Sequence, residues 1–343
     1  MMRILIFHPH LDVKGGSERL TRLLSEGLKE AGVSVLVVSL RRDPEWFDEV
    51  LTIEDPRDLN GIVRRYNPDW FFLAISETHY LRFLRDGPRV AMYVHFPLEE
   101  EVTEENIEDY RRAGRFLEVD LEELKRVDRI FVNSSFTARA VRMVWGRDSV
   151  VAHPPLEGMF LEEEARVRDF PPPRIIYVGR FTPLKRQDFL IMSLEVIRRT
   201  VPQAELILSG FPDKRHTSYF EEIKRLSERT GGVRIVISPD DRELLELYRG
   251  SRVYAHPRIG EHFGITPCEA MACGIPIVMR GPTGLKDITD RFIAESDWSF
   301  LEAIIEVLKM EEGKWFELSS TMRERVLGLT PRGFAEKILG GLR

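Results

Sequence analysis

Residues 258–279 read RIGEHFGITPCEAMACGIPIVM. They follow an apolar run that ends at His256 and carry two glutamates, Glu261 and Glu269, in the spacing E-x7-E. Thr266, Pro267 and Glu269 have the form of a helix start. Threonine is a good N-cap, proline suits the first helical position, and a glutamate three residues on closes a capping box. Gly274 ends this short helix, and residues 275–279 have the pattern of a buried strand. The stretch therefore predicts strand, loop, short helix, strand. In an open α/β sheet such a loop lies at the carboxyl ends of the strands, where ligands bind.

The same alternation runs outward in both directions. Upstream, residues 174–178, 204–209, 233–238 and 251–256 are strand-like, with helical periods over 185–199, 218–230 and 240–249. An earlier series has strands at 3–7, 33–40, 70–75, 90–95, 129–133 and 150–153, with helices near 17–31, 117–126 and 135–144. Between the series, Pro171, Pro172 and Pro173 break the pattern. The alternation predicts an α/β chain of two Rossmann-like, doubly wound parallel-sheet domains facing a cleft. The expected division is 1–165, 166–325 and a terminal helical segment 326–343.

The totals narrow the function. The chain has 343 residues, 43% of them apolar, which suits two domains with ordinary cores. A net charge of −6 and the absence of any nucleic-acid-binding signature exclude a general nucleic-acid partner. No apolar run is long enough to span a membrane, and the N-terminus reads as a strand and turn rather than a signal peptide. The acidic run 98–123 gives no membrane-docking signal by charge, and peripheral association stays open. Cys268 and Cys273 flank one short helix and read as core residues of a reducing compartment, so the expected location is cytoplasmic.

Four features carry chemistry. Gly15 and Gly16 precede a helix N-terminus, where backbone N–H groups and the helix dipole attract an anion; a tight turn is the plainer reading. Arg180 and Lys185 flank the loop after the strand 174–178, where two cations could clamp a diphosphate; a solvated basic loop is the alternative. Glu261 and Glu269 could accept hydrogen bonds from sugar or ribose hydroxyls, with capping as the rival for Glu269. His95 ends an apolar strand at the ligand edge of its sheet. His8 and His10 have a metal-like spacing without a third ligand, and no D-x-D occurs, so no metal is expected.

In order, GGSER at 15–19, YVHFP at 93–97, NSSFT at 133–137, GRFTPLK at 179–185 and EHFGITPCEAMACG at 261–274 resemble the family 4 retaining glycosyltransferases of the GT-B fold. YVHFP, NSSFT and EHFGI are most similar to the lipid-linked-oligosaccharide mannosyltransferases. The resemblance implies a nucleotide-diphosphate sugar donor, with GDP-mannose suggested by the subgroup, no cofactor, and a glycan or lipid-linked acceptor. It also implies roles. Arg180 and Lys185 would neutralise the leaving diphosphate, and Glu269 would bind ribose. Glu261 would contact the donor sugar, with the backbone of Phe263, Gly264 and Ile265 near sugar and phosphate. Gly15 and Gly16 would admit the diphosphate, and His95 would hold a sugar hydroxyl. The terminal helix would return to the first domain. The short segments after residues 209 and 279 depart from the family's pattern. A nucleotide-sugar epimerase of the same architecture and a non-catalytic nucleotide-sugar-binding protein are the alternatives.

Overall fold

The computed structural model describes residues 2–12, 15–47, 49–85, 87–97 and 119–343. Most of the acidic run 98–123, and the first part of the helix expected at 117–126, lie outside the described residues. The chain divides into two units, Met1–Pro155 with Leu329–Arg343, and Leu156–Gly328. Residues 156–165 thus belong to the second unit, not to the first as the sequence suggests. Two contacts explain this. Phe160 is buried edge-on against Tyr248, and the buried Arg323 donates to the carbonyls of Leu161 and Glu162 at 3.0 and 2.8 Å.

The first unit is built on strands β1 (Arg3–Phe7), β3 (Ser34–Ser39), β5 (Val50–Thr52), β6 (Trp70–Leu73), β7 (Arg89–Val94), β8 (Arg129–Val132) and β9 (Val150–Val151). The short strands β2 (His10–Leu11) and β4 (Arg41–Arg42) pair separately. The main sheet is parallel throughout, in the order β5-β3-β1-β6-β7-β8-β9. Its strands are apolar on both faces, as a sheet covered on both sides requires. Leu5, Phe7, Phe71, Leu73, Met92 and Val132 form one core. Ile4, Ile6, Phe72, Tyr93 and Phe131 form the other, as the two-residue period of a strand dictates. Onto that second face pack Leu20, Leu24 and Leu28 of helix α1 (Gly16–Glu30), beside Phe334, Ala335 and Ile338 of the last helix, Pro331–Leu342. Helices α2 (Leu59–Tyr66), α3 (Leu121–Leu124) and α4 (Ser135–Trp145) complete the described part.

The second unit holds β10 (Arg174–Val178), β11 (Glu205–Gly210), β12 (Val233–Ile237), β13 (Val253–His256), β14 (Ile277–Arg280) and β15 (Ile293–Ala294). They form a parallel sheet in the order β12-β11-β10-β13-β14-β15. Its helices are α5 (Gly158–Leu161), α6 (Gln187–Arg198), α7 (Thr217–Thr230), α8 (Asp241–Arg249), α9 (Ile265–Ala272), α10 (Asp297–Leu308) and α11 (Glu312–Glu324). In each sheet the first strand sits between the second and fourth of its series, the order of a doubly wound fold. The direction in which successive strands are added reverses between β10 and β13 here, and between β1 and β6 in the first unit; ligands collect at such switch points.

Candidate active site

The loops after β10 and β13 flank the second unit's switch point. The β10 loop carries Arg180 and ends in a tight turn, Pro183–Lys185. Arg186 follows in the left-handed region at φ 54°. Its guanidinium forks onto Asp297 at 2.9 and 2.6 Å and donates to the carbonyl of Pro257 at 3.1 Å. This strap binds the β10 loop to the chain leaving β13, and Lys185 consequently meets Glu261. Lys185 Nζ lies 2.8 Å from Glu261 Oε2.

That oxygen takes two more donors, His256 Nε2 at 2.9 Å and Arg258 Nη1 at 3.4 Å. Burial alone would raise the Glu261 carboxyl. Lys185, Arg258 and His256 outweigh it and hold the group well below the usual carboxylate range, so it is ionised. Burial pushes His256 below its ordinary value in spite of Glu261, so its ring is neutral and the contact is a hydrogen bond rather than an ion pair. The sequence reading missed His256 and Arg258. His256 lies inside an apolar strand and looked like its last core position, and only the Arg258–Glu261 spacing offered a signal.

Glu269 departs from expectation. Helix α9 begins at Ile265, one residue before Thr266, and its N-cap is Gly264 at φ 95°, a conformation that favours glycine. The capping box does not form. Thr266 Oγ1 instead lies 2.7 Å from the hydroxyl of Tyr254 and 3.2 Å from the carbonyl of Val178. Glu269, 1% exposed, accepts from Tyr248 at 3.2 Å. Buried tyrosines from β13 and α8 have captured the two side chains that an isolated helix would use for its own end. Phe263 is buried too.

Arg180 does not join Glu261. Its Nη1 is 3.4 Å from Asp213, which Arg215 also engages at 2.8 Å. Hydrogen bonds from Arg215 keep Asp213 ionised well below the usual range. Cys268 and Cys273 are both free and fully buried, and burial pushes their thiols up.

The first unit presents a separate group. His95 follows β7. Its carbonyl accepts from Asn133 Nδ2 at 2.7 Å and from Thr137 Oγ1 at 3.4 Å. Ser134 caps α4 by accepting from the N–H of Thr137 at 3.1 Å. The 133–137 stretch is thus a helix start that ties down the backbone of His95. At the helix start of Gly15 and Gly16 the side chain of Glu18 folds back onto the loop. A Cβ on Gly15 would stand 2.4 Å from Glu18 Oε2. Burial raises the Glu18 carboxyl, opposed by hydrogen bonds from its own N–H, Ser17 and Gly15. His8 Nε2 lies 3.9 Å from Glu18. His8 Nδ1 accepts the N–H of His10 at 3.2 Å, so this pair is a turn contact rather than two metal ligands. Among the described residues no group of three His, Cys, Asp or Glu is placed to hold a metal, and no helix is long and apolar enough to cross a membrane.

Known proteins bear on this arrangement. The family "Glycosyltransferase Family 4" matches residues 14–156, and "Glycosyl transferases group 1" matches residues 162–325. The human GDP-Man:Man(3)GlcNAc(2)-PP-Dol alpha-1,2-mannosyltransferase is 26% identical over 237 residues, covering 63% of this chain and 48% of the relative. The O-antigen chain mannosyltransferase B of Escherichia coli is 26% identical over 148 residues, covering 42% of this chain and 39% of the relative. These matches span less than half the length of either relative. Among solved structures, Anabaena Alr3699/HepE in complex with UDP and glucose superimposes with a TM-score of 0.76 at 17% identity, covering 99% of both chains. Sucrose-phosphate synthase from Thermosynechococcus elongatus gives 0.73 at 19% identity, covering 99% of this chain and 98% of that one. With two successive family matches spanning nearly the whole chain and GT-B neighbours along its full length, the protein belongs to the family 4 glycosyltransferases of the GT-B fold.

Proposed function

We propose that the protein transfers a sugar, with retention of configuration and without a metal, from a nucleotide-diphosphate donor to a glycan or lipid-linked acceptor. Mannose from GDP-mannose is the donor favoured by the mannosyltransferase relatives. The observation that carries the reading is the Lys185–Glu261 pair at the carboxyl ends of β10 and β13. It sets a cation for phosphate beside an ionised carboxylate for sugar hydroxyls. In the transition state positive charge grows at the sugar carbon and negative charge on the departing diphosphate. Lys185 and Arg180 stabilise the second, which is the large term in such reactions. The acceptor attacks on the face the diphosphate leaves, and a phosphate oxygen takes its proton, so no protein nucleophile is needed. Glu261 holds the sugar, Glu269 the ribose hydroxyls, and the backbone of Phe263, Gly264 and Ile265 lines sugar and phosphate. From the first unit, Gly15 and Gly16 admit the diphosphate and His95 holds a sugar hydroxyl.

The test is incubation of the purified protein with labelled GDP-mannose and UDP-glucose and a panel of glycan and lipid-linked acceptors. Transfer with retained anomeric configuration in the presence of a chelator is the expected result. Absence of transfer, of hydrolysis and of any nucleoside diphosphate binding would sink the reading.

A further inference from the structure

We propose that His256 is a positioning residue for the donor sugar: it fixes Glu261 so that one carboxylate oxygen stays open to a sugar hydroxyl. The inference rests on the glycosyltransferase reading above and deepens it. Among the described residues, all three hydrogen-bond donors to Glu261 end on Oε2, from Lys185, His256 and Arg258. Oε1 receives none of them. A carboxylate accepts through both oxygens, so one is saturated by the protein and the other is left for a ligand.

The two cations cannot set this orientation alone. Lys185 is a flexible point charge and attracts either oxygen, and Arg258 stands at 3.4 Å. His256 is rigid, 2% exposed, with its ring 5.2 Å from that of Tyr177 and tilted by 30°. Its proton is assigned by its neighbours. Glu261 is ionised and can only accept, so Nε2 carries the hydrogen and Nδ1 the lone pair. The hydroxyl of Tyr254 lies 3.3 Å from Nδ1, 2.7 Å from Thr266 Oγ1 and 3.2 Å from the Val178 carbonyl, so the lone pair of Nδ1 has a polar neighbour. The ionised Glu261 thus selects the tautomer that points a hydrogen at Oε2, and the buried ring holds that hydrogen in place, much as an outer-shell partner orients a ligating side chain.

The test uses the full chain as wild type, H256F, H256N and H256Q. GDP and UDP binding is measured by calorimetry, and turnover of GDP-mannose and UDP-glucose by nucleoside diphosphate release. H256F is expected to leave nucleoside diphosphate affinity within about twofold while lowering kcat about tenfold or more. H256Q, whose amide nitrogen reaches the imidazole Nε2 position, should recover part of that loss. H256N, too short to reach Glu261, should not, and it supplies the reading if H256F does not fold. An active wild type with equally active H256F and H256N overturns the positioning role alone. So does a parallel loss of nucleoside diphosphate binding with no difference between H256Q and H256N, which marks a packing residue. A wild type that neither binds nor turns over any of these nucleotides overturns the glycosyltransferase reading and this role with it.

Discussion

Lys185 and Glu261, 76 residues apart in sequence, form a 2.8 Å ion pair in which the side chains are 14% and 11% exposed. The pair neutralises two charges that the proposed donor would engage separately. Removing Glu261 takes away the carboxylate that Lys185 and the buried Arg258 share. E261A is therefore expected to lose about 3 kcal/mol of stability, and E261Q less, because the amide oxygen still accepts. Urea unfolding of the three proteins measures it; an E261A midpoint equal to wild type would show that the pair is not a structural one.

For Glu269 the expectation separates two roles. Because Tyr248 holds its carboxylate and no capping box forms, E269Q should keep the helix and the fold, with a melting temperature near wild type. If Glu269 holds ribose hydroxyls, nucleoside diphosphate affinity should fall about tenfold, the weight of one charge-assisted hydrogen bond. Calorimetric titration with GDP and UDP decides; unchanged affinity removes Glu269 from the ribose contact.

His8 should make the first unit sensitive to acid. Burial, with His95 and His10 nearby, lowers its pKa from 6.5 to about 3. The unfolded chain therefore binds a proton through this window while the folded chain does not. Stability rises with pH there and is lost as pH falls from 6.5 towards 3. Between pH 7 and pH 5 the loss through this one group is about 2 kcal/mol. H8F lacks the titrating ring and retains Glu18, so the difference between the two unfolding profiles isolates His8. Parallel profiles would contradict the assignment.

Gly15 and Glu18 should be coupled. G15A drives a methyl group against the Glu18 carboxylate and pushes it off the helix end, at a cost of about 1 kcal/mol. E18A removes the same contact directly. In an E18A background the G15A step should cost little, so the double variant should be clearly more stable than the sum of the singles predicts. Additive losses would mean that the carboxylate and the glycine act independently.

The architecture was legible because both sheets are buried on two faces. Apolar runs such as 3–7 and 174–178 stand out against the helical period of residues 20, 23, 24 and 28. The helices Leu59–Tyr66 and Glu312–Glu324 escaped the reading. In the latter, Trp315, Leu318 and Met322 are too few to mark a face. The site was half legible. Loop position and residue type singled out Lys185 and Glu261 as candidates, but not that the two would meet. The cap at Thr266 and Glu269 was misread because local rules take no account of Tyr254 and Tyr248, which arrive from distant strands and helices. Gly15 and Gly16 read as a place for a ligand's anion at a helix end. The sequence could not show that the side chain of Glu18 folds back onto that end.

The last helix, Pro331–Leu342, lies against α1 and covers the same core face as Leu20, Leu24 and Leu28, with Gly27 admitting the backbone of Pro331. The order of synthesis matters here. The second unit is continuous from Leu156 to Gly328 and can fold as soon as it leaves the ribosome. The first unit begins earlier but finishes later, since its apolar stripe on α1 stays uncovered until residues 331–342 emerge. For that interval the nascent chain carries a hydrophobic seam, and the arrival of residues 331–342 is the step that seals it.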